Sequence, residues 1–318
     1  MAFDPLSGTH TVRVPARRNA TRIVALRHAS RVAARPAARS RMPRILGAIL
    51  VGIGLSTIIA VGLAVVMVTT TVGVLSVGLP DPSQLEALTF SEPTVVYDRT
   101  GTVELGRFQR EERRVVAFGD VPELVLDATT SAEDRTFWTN SGFDAPAILS
   151  AAAEGASGAR ERGASTITQQ LVRARLLPSE VTAAGADRYM RKAKELIQSL
   201  RVNQSFPGEQ GKDRIITAYL NEIFYGHGAY GVAAAAWIYF GVSDLADLTP
   251  AQAALLAGLP KSPSTLDPYR FAVKDAKGRL VVPPDAPPVV RRDWILGGMA
   301  DGARWTKLTP SELQAALA

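Results

Sequence analysis

The sequence predicts a mainly α-helical protein behind a single N-terminal transmembrane helix. Three observations predict it: an uncharged segment at residues 45–79, a helical pattern rich in Ala and Leu from residue 122 to 259, and no cysteine among 318 residues. Without cysteine the chain has no disulfide and no zinc site with sulfur ligands, so the fold must rest on an ordinary packed core. With 47% hydrophobic side chains, the composition excludes a collagen-like or fully disordered protein.

The N-terminal tail, residues 1–44, carries the positive charge of the chain. It holds ten arginines and one acid, Asp4, whereas the rest of the chain holds 26 basic and 29 acidic residues. The net charge of +6 therefore gives no reason to expect a nucleic-acid partner. The tail has too few large apolar groups to offset the entropy of ordering, so we expect it to be disordered.

Residues 45–79 are predicted to form the transmembrane helix and a short apolar extension. They include no Asp, Glu, Lys or Arg, and about 20 such residues suffice to cross a bilayer. A cleaved signal peptide is the alternative, but its apolar region would have only about 7–15 residues. The arginines on the N-terminal side predict a cytoplasmic N-terminus, with the chain after residue 80 outside the cell membrane.

After the membrane segment the sequence predicts a short linker and then a helical domain. Residues 80–120 are the linker, with a hairpin near the membrane formed by β-prone runs at 94–98 and 102–105. Residues 121–270 form the main domain, where apolar residues three and four positions apart predict seven or more short helices.

Residues 271–318 are predicted to be a Pro-rich connector followed by C-terminal helices. Four prolines within 281–290 indicate an extended segment. Two helices should follow, at about 289–300 and 310–318, the second capped by Thr309. This region resembles the start of a linker to a further domain.

Glu133 and Asp134 are two adjacent carboxylates after a run of Thr and Ser, and they are predicted to open a helix. The alternative to a catalytic role is structural. Thr130 and Glu133 have the spacing of a capping box, which satisfies free amide groups at a helix start. On spacing alone the structural interpretation is the favoured one.

The segment GASTITQQ at 163–170 precedes a helical run. Free backbone amides, hydroxyls and the positive end of a helix in one place favour phosphate or another anion. Thr166 and Gln169 are alternatively a simple capping pair. That alternative leaves the density of small polar residues unexplained.

A third segment carries Arg188, Arg191, Lys192 and Glu195 on one helix. The apolar stripe of this helix is predicted at Met190, Ala193, Ile197 and Leu200. Glu195 falls opposite the stripe and is flanked by the cations. The alternative here is a solvated face with an ordinary i,i+4 ion pair.

A fourth segment, RIITAYLNEIFYGHGAYG at 214–231, is rich in aromatic residues and ends in closely spaced glycines. Asn221 and the glycines predict a tight turn near a site. His227 is interpreted as a surface turn residue, because no Asp or Glu stands beside it at the spacing of metal ligands.

In this order the segments resemble the peptidoglycan glycosyltransferase domain, glycosyltransferase family 51, of class A penicillin-binding proteins and monofunctional transglycosylases. The motifs that carry the resemblance are Glu133-Asp134 with Phe137 and Gly142-Phe143-Asp144, GASTITQQL at 163–171, Arg191-Lys192-Ala193-Lys194-Glu195, Ile215-Ile216 with Tyr219-Leu220-Asn221, and Ala235-Ala236 with Tyr239-Phe240-Gly241. The resemblance covers about residues 90–270 and the anchor. It implies a lysozyme-like, two-lobed helical fold with the active cleft between the lobes.

The resemblance implies an enzyme that polymerises lipid II into β-1,4 glycan strands, with inversion and release of a polyprenyl diphosphate. It implies that Glu133 is the catalytic base and that Glu195 is a second essential carboxylate near the diphosphate. The positions expected to bind substrate are Asp134, Ser165, Thr166, Gln169, Gln170, Arg173, Arg191, Lys192 and Asn221. No cofactor is required by the sequence itself, and the resemblance leaves a divalent cation, Mg²⁺ or Mn²⁺, open at Glu195.

The expected partners are lipid II, the growing glycan strand and membrane lipid. A transpeptidase or another protein of cell-wall synthesis is a further candidate, and no nucleic acid is expected. No Ser-x-x-Lys sequence occurs in the chain, so transpeptidation is not predicted for it.

Two positions depart from the pattern of the family. Asn140 stands where the first motif usually has His, and Gln252 stands where the closing helix usually has Glu. Asparagine keeps a hydrogen bond but cannot carry a proton. Two other functions therefore stay open: a catalytically inactive membrane scaffold of the wall-building machinery, and a lysozyme-like lytic enzyme that uses Glu133 as an acid.

Overall fold

The structure is a computed structural model that describes residues 42–89, 94–108, 111–148, 150 and 165–318. The predicted disordered tail before residue 42 lies outside the described residues, as do Gly163 and Ala164 of the GAST segment. The chain divides into two compact units, residues 1–67 and 68–318. Every residue of the candidate site discussed below belongs to the second unit.

Helix α1 (Met42–Ser76) contains the predicted transmembrane segment. In the described part of the chain it is the one helix long and apolar enough to cross a membrane, and its apolar stretch is not buried within the protein. Exposing so many apolar side chains to water is unfavourable, so this helix is suited to an apolar environment such as the lipid bilayer. The finding fits the predicted single-pass membrane protein, while the orientation stays a prediction.

The second unit is mainly helical, which confirms the predicted fold class. Its helices are α2 (Glu123–Glu133), α3 (Ile167–Arg175), α4 (Ser179–Thr182), α5 (Arg188–Ser205), α6 (Gly208–Glu222), α7 (Val232–Phe240), α8 (Pro250–Gly258), α9 (Pro287–Gly302) and α10 (Pro310–Leu317). Seven of these fall within the described part of 121–270, as predicted. All of them except α4 contribute buried residues to one apolar core, in which Phe137, Tyr219 and Ile295 are fully buried.

Short strands complete the unit. The strands β1 (Thr94–Tyr97) and β2 (Glu104–Phe108) pair in antiparallel fashion, which confirms the predicted hairpin. The strands β3 (Glu112–Arg113), β4 (Phe224–Gly226) and β5 (Ala229–Tyr230) form a small sheet in the order β3-β5-β4, and β6 (Val273–Lys274) pairs with β7 (Leu280–Val281). Outside the helices, the described chain therefore carries only small sheets.

The turn between β4 and β5 contains the closely spaced glycines. His227 has a φ of 47° and lies between Gly226 and Gly228, whose φ angles are also positive. A Cβ on Gly226 would stand 2.7 Å from the hydroxyl of Tyr239, so a larger residue does not fit there. His227 is partly exposed and its Nε2 lies 3.0 Å from Oδ2 of Asp267. The interpretation of His227 as a surface turn residue is confirmed.

Helix α2 ends, rather than begins, at the two adjacent carboxylates. The predicted capping box is therefore wrong: Thr130 lies inside α2 and its hydroxyl donates to the carbonyl oxygen of Leu126 at 3.0 Å. Asp134 is the first residue after the helix, with a φ of −161°. Because the backbone leaves the helical path at this point, Glu133 and Asp134 contact different partners.

The buried side of helix α5 only partly matches the stripe that its apolar periodicity predicted. Met190, assigned to the apolar stripe, is 44% exposed, whereas Glu195, assigned to the opposite face, is 1% exposed. Gln198 and Ser199 are buried with Glu195. Ile197 of the predicted stripe is buried as well, so the buried side of α5 combines apolar and polar residues, and α3 packs against this helix. The alternative of a solvated ion pair at Glu195 is wrong.

Two helix starts agree with the capping signals in the sequence. Thr309 caps α10 as predicted, and its hydroxyl accepts from the amide of Glu312 at 3.3 Å. At the start of α8, the side-chain oxygen of Gln252 accepts from the amide of Thr249 at 2.9 Å. Glutamine satisfies the same helix-start amide that glutamate would satisfy, so the departure at Gln252 leaves this local structure intact.

Helix α9 packs against α2 and α8 and belongs to the core. Its side chains Leu296 and Met299 are fully buried. The helix begins at Pro287, so the end of the predicted extended connector is helical instead. Pro287 and Pro288 occupy the first two helical positions, where a missing N–H costs no helical hydrogen bond.

Asp127 ties the segment after α9 to the middle of α2. Its buried carboxylate accepts from the backbone amides of Arg304, Trp305 and Thr306 at 2.9, 2.9 and 2.5 Å. Hydrogen bonds to charged groups contribute about 1.5–3 kcal/mol, so Asp127→Asn should lower the free energy of unfolding by about 2 kcal/mol or more. Urea unfolding of the detergent-solubilised chain measures this, with Asp301→Asn, an exposed site, as control. Equal midpoints for the two variants would contradict the anchoring role.

Candidate active site

Glu133 stands at the C-terminal end of α2 with one carboxylate oxygen bonded. Its Oε2 accepts a hydrogen bond from Nε2 of Gln170 at 2.7 Å. Its Oε1 accepts no hydrogen bond from the described residues, and only 10% of the side chain is exposed. The carboxylate of Glu133 can therefore receive a proton on Oε1, while the hydrogen bond from Gln170 to Oε2 holds the side chain in position.

The amide of Gln170 is held in one orientation by Tyr219. Tyr219 is fully buried in α6, and its hydroxyl donates to Oε1 of Gln170 at 3.3 Å. Because the amide oxygen is engaged there, the NH₂ group is presented to Glu133. Gln170 was expected to bind substrate; in the structure one N–H of its amide donates to the predicted base, and the substrate contact stays a prediction.

Burial raises the pKa of Glu133 above its ordinary value, because the charged form is poorly solvated. The hydrogen bond from Gln170 and the charge of Arg291 act against this rise, and the neighbouring Asp134 adds to it. A base with a raised pKa binds a proton more strongly than a free glutamate does, as long as the pH keeps it ionised. The setting of Glu133 therefore suits a general base.

Asp134 positions the start of α3 instead of lining an open site. Its buried carboxylate accepts from Nδ2 of Asn140 at 3.0 and 3.1 Å and from the backbone amide of Ile167 at 3.2 Å. Asp134 was expected to bind substrate; in the structure its hydrogen bonds are to internal partners, and the substrate contact stays a prediction. Asn140 supplies the hydrogen bond that a histidine at this position could supply, so the departure from the family pattern leaves Asp134 paired.

Lys212 is a buried lysine that the motif analysis did not single out. Its Nζ donates to the backbone oxygen of Asn140 at 2.7 Å and lies 4.7 Å from the ring centre of Phe137. Burial lowers the pKa of Lys212 to about 8, against the opposing influence of Asp134. Lys212 lies seven residues before Tyr219 on α6, and that helical spacing is the signal that could have placed it on the buried face.

Glu195 is surrounded by three cations that come from two helices. Its Oε1 lies 3.8 Å from a guanidinium nitrogen of Arg173 on α3 and 3.5 Å from Nε of Arg191, and its Oε2 lies 3.2 Å from Nζ of Lys192. The carboxylate is 1% exposed, whereas the three cationic side chains are 36–43% exposed. We call these four residues the cationic cluster. The three cations of the cluster are partly exposed to solvent, whereas its one negative charge, on Glu195, is buried.

Lys192 links the cationic cluster to the start of α3. Its Nζ also donates to Oγ of Ser165 at 2.8 Å and to Oε1 of Gln169 at 2.9 Å. Gln169 is fully buried, and its backbone amide donates to Oγ1 of Thr166 at 3.2 Å. The GAST segment and the Arg-Lys helix, predicted separately to handle an anion, therefore meet at one place.

The base and the cationic cluster are joined through two consecutive residues of α3. Gln170 holds Glu133, and Gln169 holds Lys192, which contacts Glu195. The two glutamates are sixty-two positions apart in sequence, but the glutamines that connect them, Gln169 and Gln170, are consecutive residues of α3. The two predicted carboxylates thus belong to one local network.

Two other predicted substrate residues are used internally. Thr166 is 2% exposed, caps α3, and donates from Oγ1 to the backbone oxygen of Gly142 at 2.8 Å. Asn221 is 3% exposed, and its side chain exchanges two hydrogen bonds with the backbone of Val116, at 2.9 and 2.8 Å. With the oxygen and one N–H of its amide engaged, Asn221 fixes the chain after β3, and its role in substrate binding stays a prediction.

The residues beside Glu195 do not fit a divalent cation held by the protein. Mg²⁺ and Mn²⁺ prefer oxygen ligands, and the charged neighbours of Glu195 are all cations that would repel a metal ion. In the described ranges, no group of three or more His, Asp or Glu side chains could hold a metal. No chemical step is therefore assigned to one.

Arg291 is a second residue that the motif analysis missed. It lies in the first turns of α9, and one of its guanidinium nitrogens donates to the backbone oxygen of Ala132 at 2.8 Å and lies 3.8 Å from Oε1 of Glu133. No spacing signal in the sequence connects Arg291 to residue 133. Only the packing of α9 on α2 brings them together.

Comparisons with known proteins agree with the ordered motifs. A sequence profile of the family described as transglycosylase matches residues 101–299. Penicillin-binding protein 1A of Aquifex aeolicus is 39% identical over 192 residues, which is 60% of this chain and 25% of that protein. The penicillin-binding proteins 1A of Neisseria gonorrhoeae and Vibrio cholerae are 38% and 37% identical, over 60% and 63% of this chain and 22% and 23% of theirs.

The chain spans about a quarter of the length of these curated relatives. A solved structure, penicillin-binding protein 1A from Haemophilus influenzae, is similar with a TM-score of 0.36 and 23% identity, over 72% of this chain and 21% of that one. The family match covers more than half of this chain, from the turn of the β1–β2 hairpin into α9. The chain therefore belongs to the transglycosylase family and carries the peptidoglycan glycosyltransferase type of domain found in class A penicillin-binding proteins.

Proposed function

We propose that the protein polymerises lipid II into β-1,4 glycan strands, with inversion at the anomeric carbon and release of a polyprenyl diphosphate. The observation that carries the proposal is the pair of glutamines on α3, of which Gln170 holds a buried base and Gln169 holds the cationic cluster. Glycosyl transfer from a diphosphate needs a base for the incoming hydroxyl and positive charge for the leaving group. The network supplies both.

Glu133 takes the proton of the acceptor's 4-hydroxyl as that oxygen attacks the anomeric carbon of the donor. Oε1 receives the proton, while Oε2 stays bonded to Gln170. The bond from the anomeric carbon to the diphosphate breaks on the opposite face, so an α-linked donor gives a β-linked product. A positioned general base contributes about 10²–10⁴ in rate.

The cationic cluster binds the diphosphate of the donor. Arg173, Arg191 and Lys192 carry three positive charges, and Glu195 offsets one of them while fixing their positions. Negative charge on the diphosphate increases as the sugar departs. Cations that are already in place therefore stabilise the transition state more than the bound substrate.

The membrane anchor brings the enzyme to its lipid-linked substrate. We propose residues 1–44 as the cytoplasmic tail, 45–79 as the membrane segment and 80–120 as the linker, with the site outside the cell membrane. Confinement to one surface lowers the entropic cost of the encounter with lipid II. The predicted glycosyltransferase domain is 121–270, and the family match over 101–299 supports wider bounds for it.

Residues 271–318 are proposed as the Pro-rich connector and C-terminal helices, of which the family match includes residues up to 299. A transpeptidase or another wall-synthesis protein is the partner expected to use the new glycan strand. This assignment rests on the resemblance of the family to bifunctional proteins that carry both activities.

A lysozyme-like lytic enzyme and an inactive scaffold are the competing functions. A finished glycan has no diphosphate, so the cationic cluster would have no use in the lytic reaction. Asn140 was an argument for the scaffold, because it replaces the usual histidine of the family. In the structure it still donates hydrogen bonds to Asp134, so this local arrangement is kept. Both observations favour the polymerase.

Incubation of the detergent-solubilised chain with labelled lipid II, and separately with finished glycan, tests the proposal. Polymer and free polyprenyl diphosphate from lipid II are the expected products. Shortened glycan without polymer would favour the lytic enzyme. A folded protein that leaves both substrates unchanged would favour the scaffold.

A further inference from the structure

We propose that Arg291 is the electrostatic partner of Glu133, a positioning residue whose guanidinium keeps the carboxylate ionised and in place for proton transfer. The inference rests on the proposed function, because it assigns a role in the reaction of Glu133. Arg291 lies outside all the motifs that predicted the site. Its role follows from contacts between α9 and the end of α2 alone.

The first observation is that Arg291 contacts both the backbone and the side chain at the end of α2. It donates to the carbonyl oxygen of Ala132 at 2.8 Å, and the same nitrogen lies 3.8 Å from Oε1 of Glu133. The carbonyl groups at the end of a helix carry partial negative charge, which a guanidinium offsets. Arg291 therefore both fastens the helix end and places positive charge beside the oxygen that accepts the proton.

The second observation is that the side chain of Arg291 is confined. Only 14% of it is exposed, and its guanidinium carbon lies 4.3 Å from the ring centre of Trp294. A Cβ on Gly258 of α8 would stand 3.0 Å from Cγ of Arg291, so the glycine leaves room for the arginine to pass. A cation held in this way, and shielded from solvent, acts on Glu133 with little screening by salt.

The third observation is the set of charges that face Glu133. Arg291 and Lys261 favour the ionised carboxylate, and Asp134 disfavours it. Lys261 is exposed, so its influence is weakened by solvent and salt. Helix α8, which packs against α2, contributes no ionisable side chain. Arg291 is thus the buried cation that opposes the cost of burying the charge of Glu133.

The phenols near Glu133 do not supply a competing charge. Burial raises the pKa of Tyr219 and of Tyr225 above the ordinary value, so both are neutral at working pH. Arg173 on α3 is engaged with Glu195. The charge state of Glu133 therefore depends mainly on burial, on Gln170 and on Arg291, with smaller influences from Lys261 and Asp134.

The adjacent arginine, Arg292, offers a matched control. It is partly buried on the same helix, pairs with Asp293 at 2.7 Å and donates to the backbone oxygen of Leu317. Neither of these partners lies on α2, and Arg292→Gln removes the same charge as Arg291→Gln. A difference between the two variants reports on the neighbourhood of Glu133 rather than on the stability of α9.

The test is the pH dependence of kcat/KM for lipid II polymerisation by the detergent-solubilised full chain. Removing the charge of Arg291 should raise the pKa of Glu133, because an opposite charge within about 4–6 Å favours the ionised form by about one pH unit or more. In Arg291→Gln the acid limb should move to higher pH by about one unit, with activity recovering at high pH. Arg291→Lys should move it less, and Arg292→Gln should leave it unchanged.

An Arg291→Gln profile that coincides with wild type, or that falls by one constant factor at every pH, overturns the proposal. If Arg291→Gln does not fold, Trp294→Leu decides, because Trp294 is 50% exposed and its loss frees the guanidinium. An acid limb shifted upward in that variant supports the proposal, and an unshifted one overturns it.

Failure of the proposed function is recognisable separately. If wild type and Arg292→Gln both make no glycan, lipid II polymerisation is rejected. The role of Arg291 is then tested by carbon-13 NMR titration of the Glu133 carboxyl group. The signal of this carboxyl group is assigned by its absence from the spectrum of Glu133→Gln. A higher carboxyl pKa in Arg291→Gln than in wild type supports the electrostatic pairing, and an equal one overturns it.

Discussion

Replacing Glu133 with glutamine is expected to lower the rate of lipid II polymerisation by about 10²–10⁴-fold, the contribution of a positioned general base. Glutamine has nearly the same shape and retains an oxygen for the hydrogen bond from Gln170, but it cannot take the proton of the acceptor hydroxyl. The loss should appear in kcat, since the substitution removes an interaction made in the transition state. Because the expected loss of rate is large, Glu133→Gln is a decisive test of the proposed base.

The rate is measured as the conversion of labelled lipid II to glycan by the purified chain. Glu123→Gln serves as control, because Glu123 is an exposed residue of the same helix and its replacement removes the same charge. Growth of a cell that depends on this protein provides the second readout. Full complementation by Glu133→Gln would contradict the role of Glu133 and favour the scaffold.

Replacing Lys192 with methionine is expected to lower kcat/KM for lipid II by about 10²–10³-fold, in line with the loss of one aimed donor from a site that stabilises developing charge. Lys192 donates to Ser165, Gln169 and Glu195 at once, so its loss removes positive charge and frees the side chains that it aligns. Methionine keeps much of the length and volume of lysine. The effect should therefore come from the lost charge and hydrogen bonds rather than from a cavity.

Steady-state kinetics with a series of lipid II concentrations measure this change. Lys274→Met, at an exposed position of the β6–β7 hairpin, makes the same change in net charge away from the site. The control should behave as wild type does. Equal kinetics for Lys192→Met and the control would exclude the cationic cluster as the diphosphate site.

The local elements of the fold were largely predictable. The uncharged run at 45–79 predicted α1, the β-prone runs at 94–98 and 102–105 predicted the β1–β2 hairpin, and Thr309 predicted the start of α10. These signals depend on residues that are neighbours in sequence, such as a capping hydroxyl and the amide three positions later. The Pro-rich connector was partly wrong, because two of its prolines begin α9.

The candidate site was predictable in its parts but not in its connections. The motifs singled out Glu133, Lys192 and Glu195, yet apolar periodicity put Glu195 on the solvated face of α5. Periodicity reports which positions share a side of one helix, and it does not report which neighbouring helix covers that side. Arg173 on α3, together with Arg191 and Lys192 on α5 itself, made the buried position of Glu195 favourable, since buried charges need paired groups.

The sequence by itself determined the class of protein, an apolar anchor followed by a helical transglycosylase domain, because composition and ordered motifs are properties of the chain alone. Only the tertiary structure decided which polar residues are internal supports, as Asp134 and Asn221 are, and which remain open to a ligand. It also brought Arg291 to Glu133 across the packing of α9 on α2. The reason is physical: burial and charge pairing depend on distances between elements far apart in the chain, and those distances are set when the core packs.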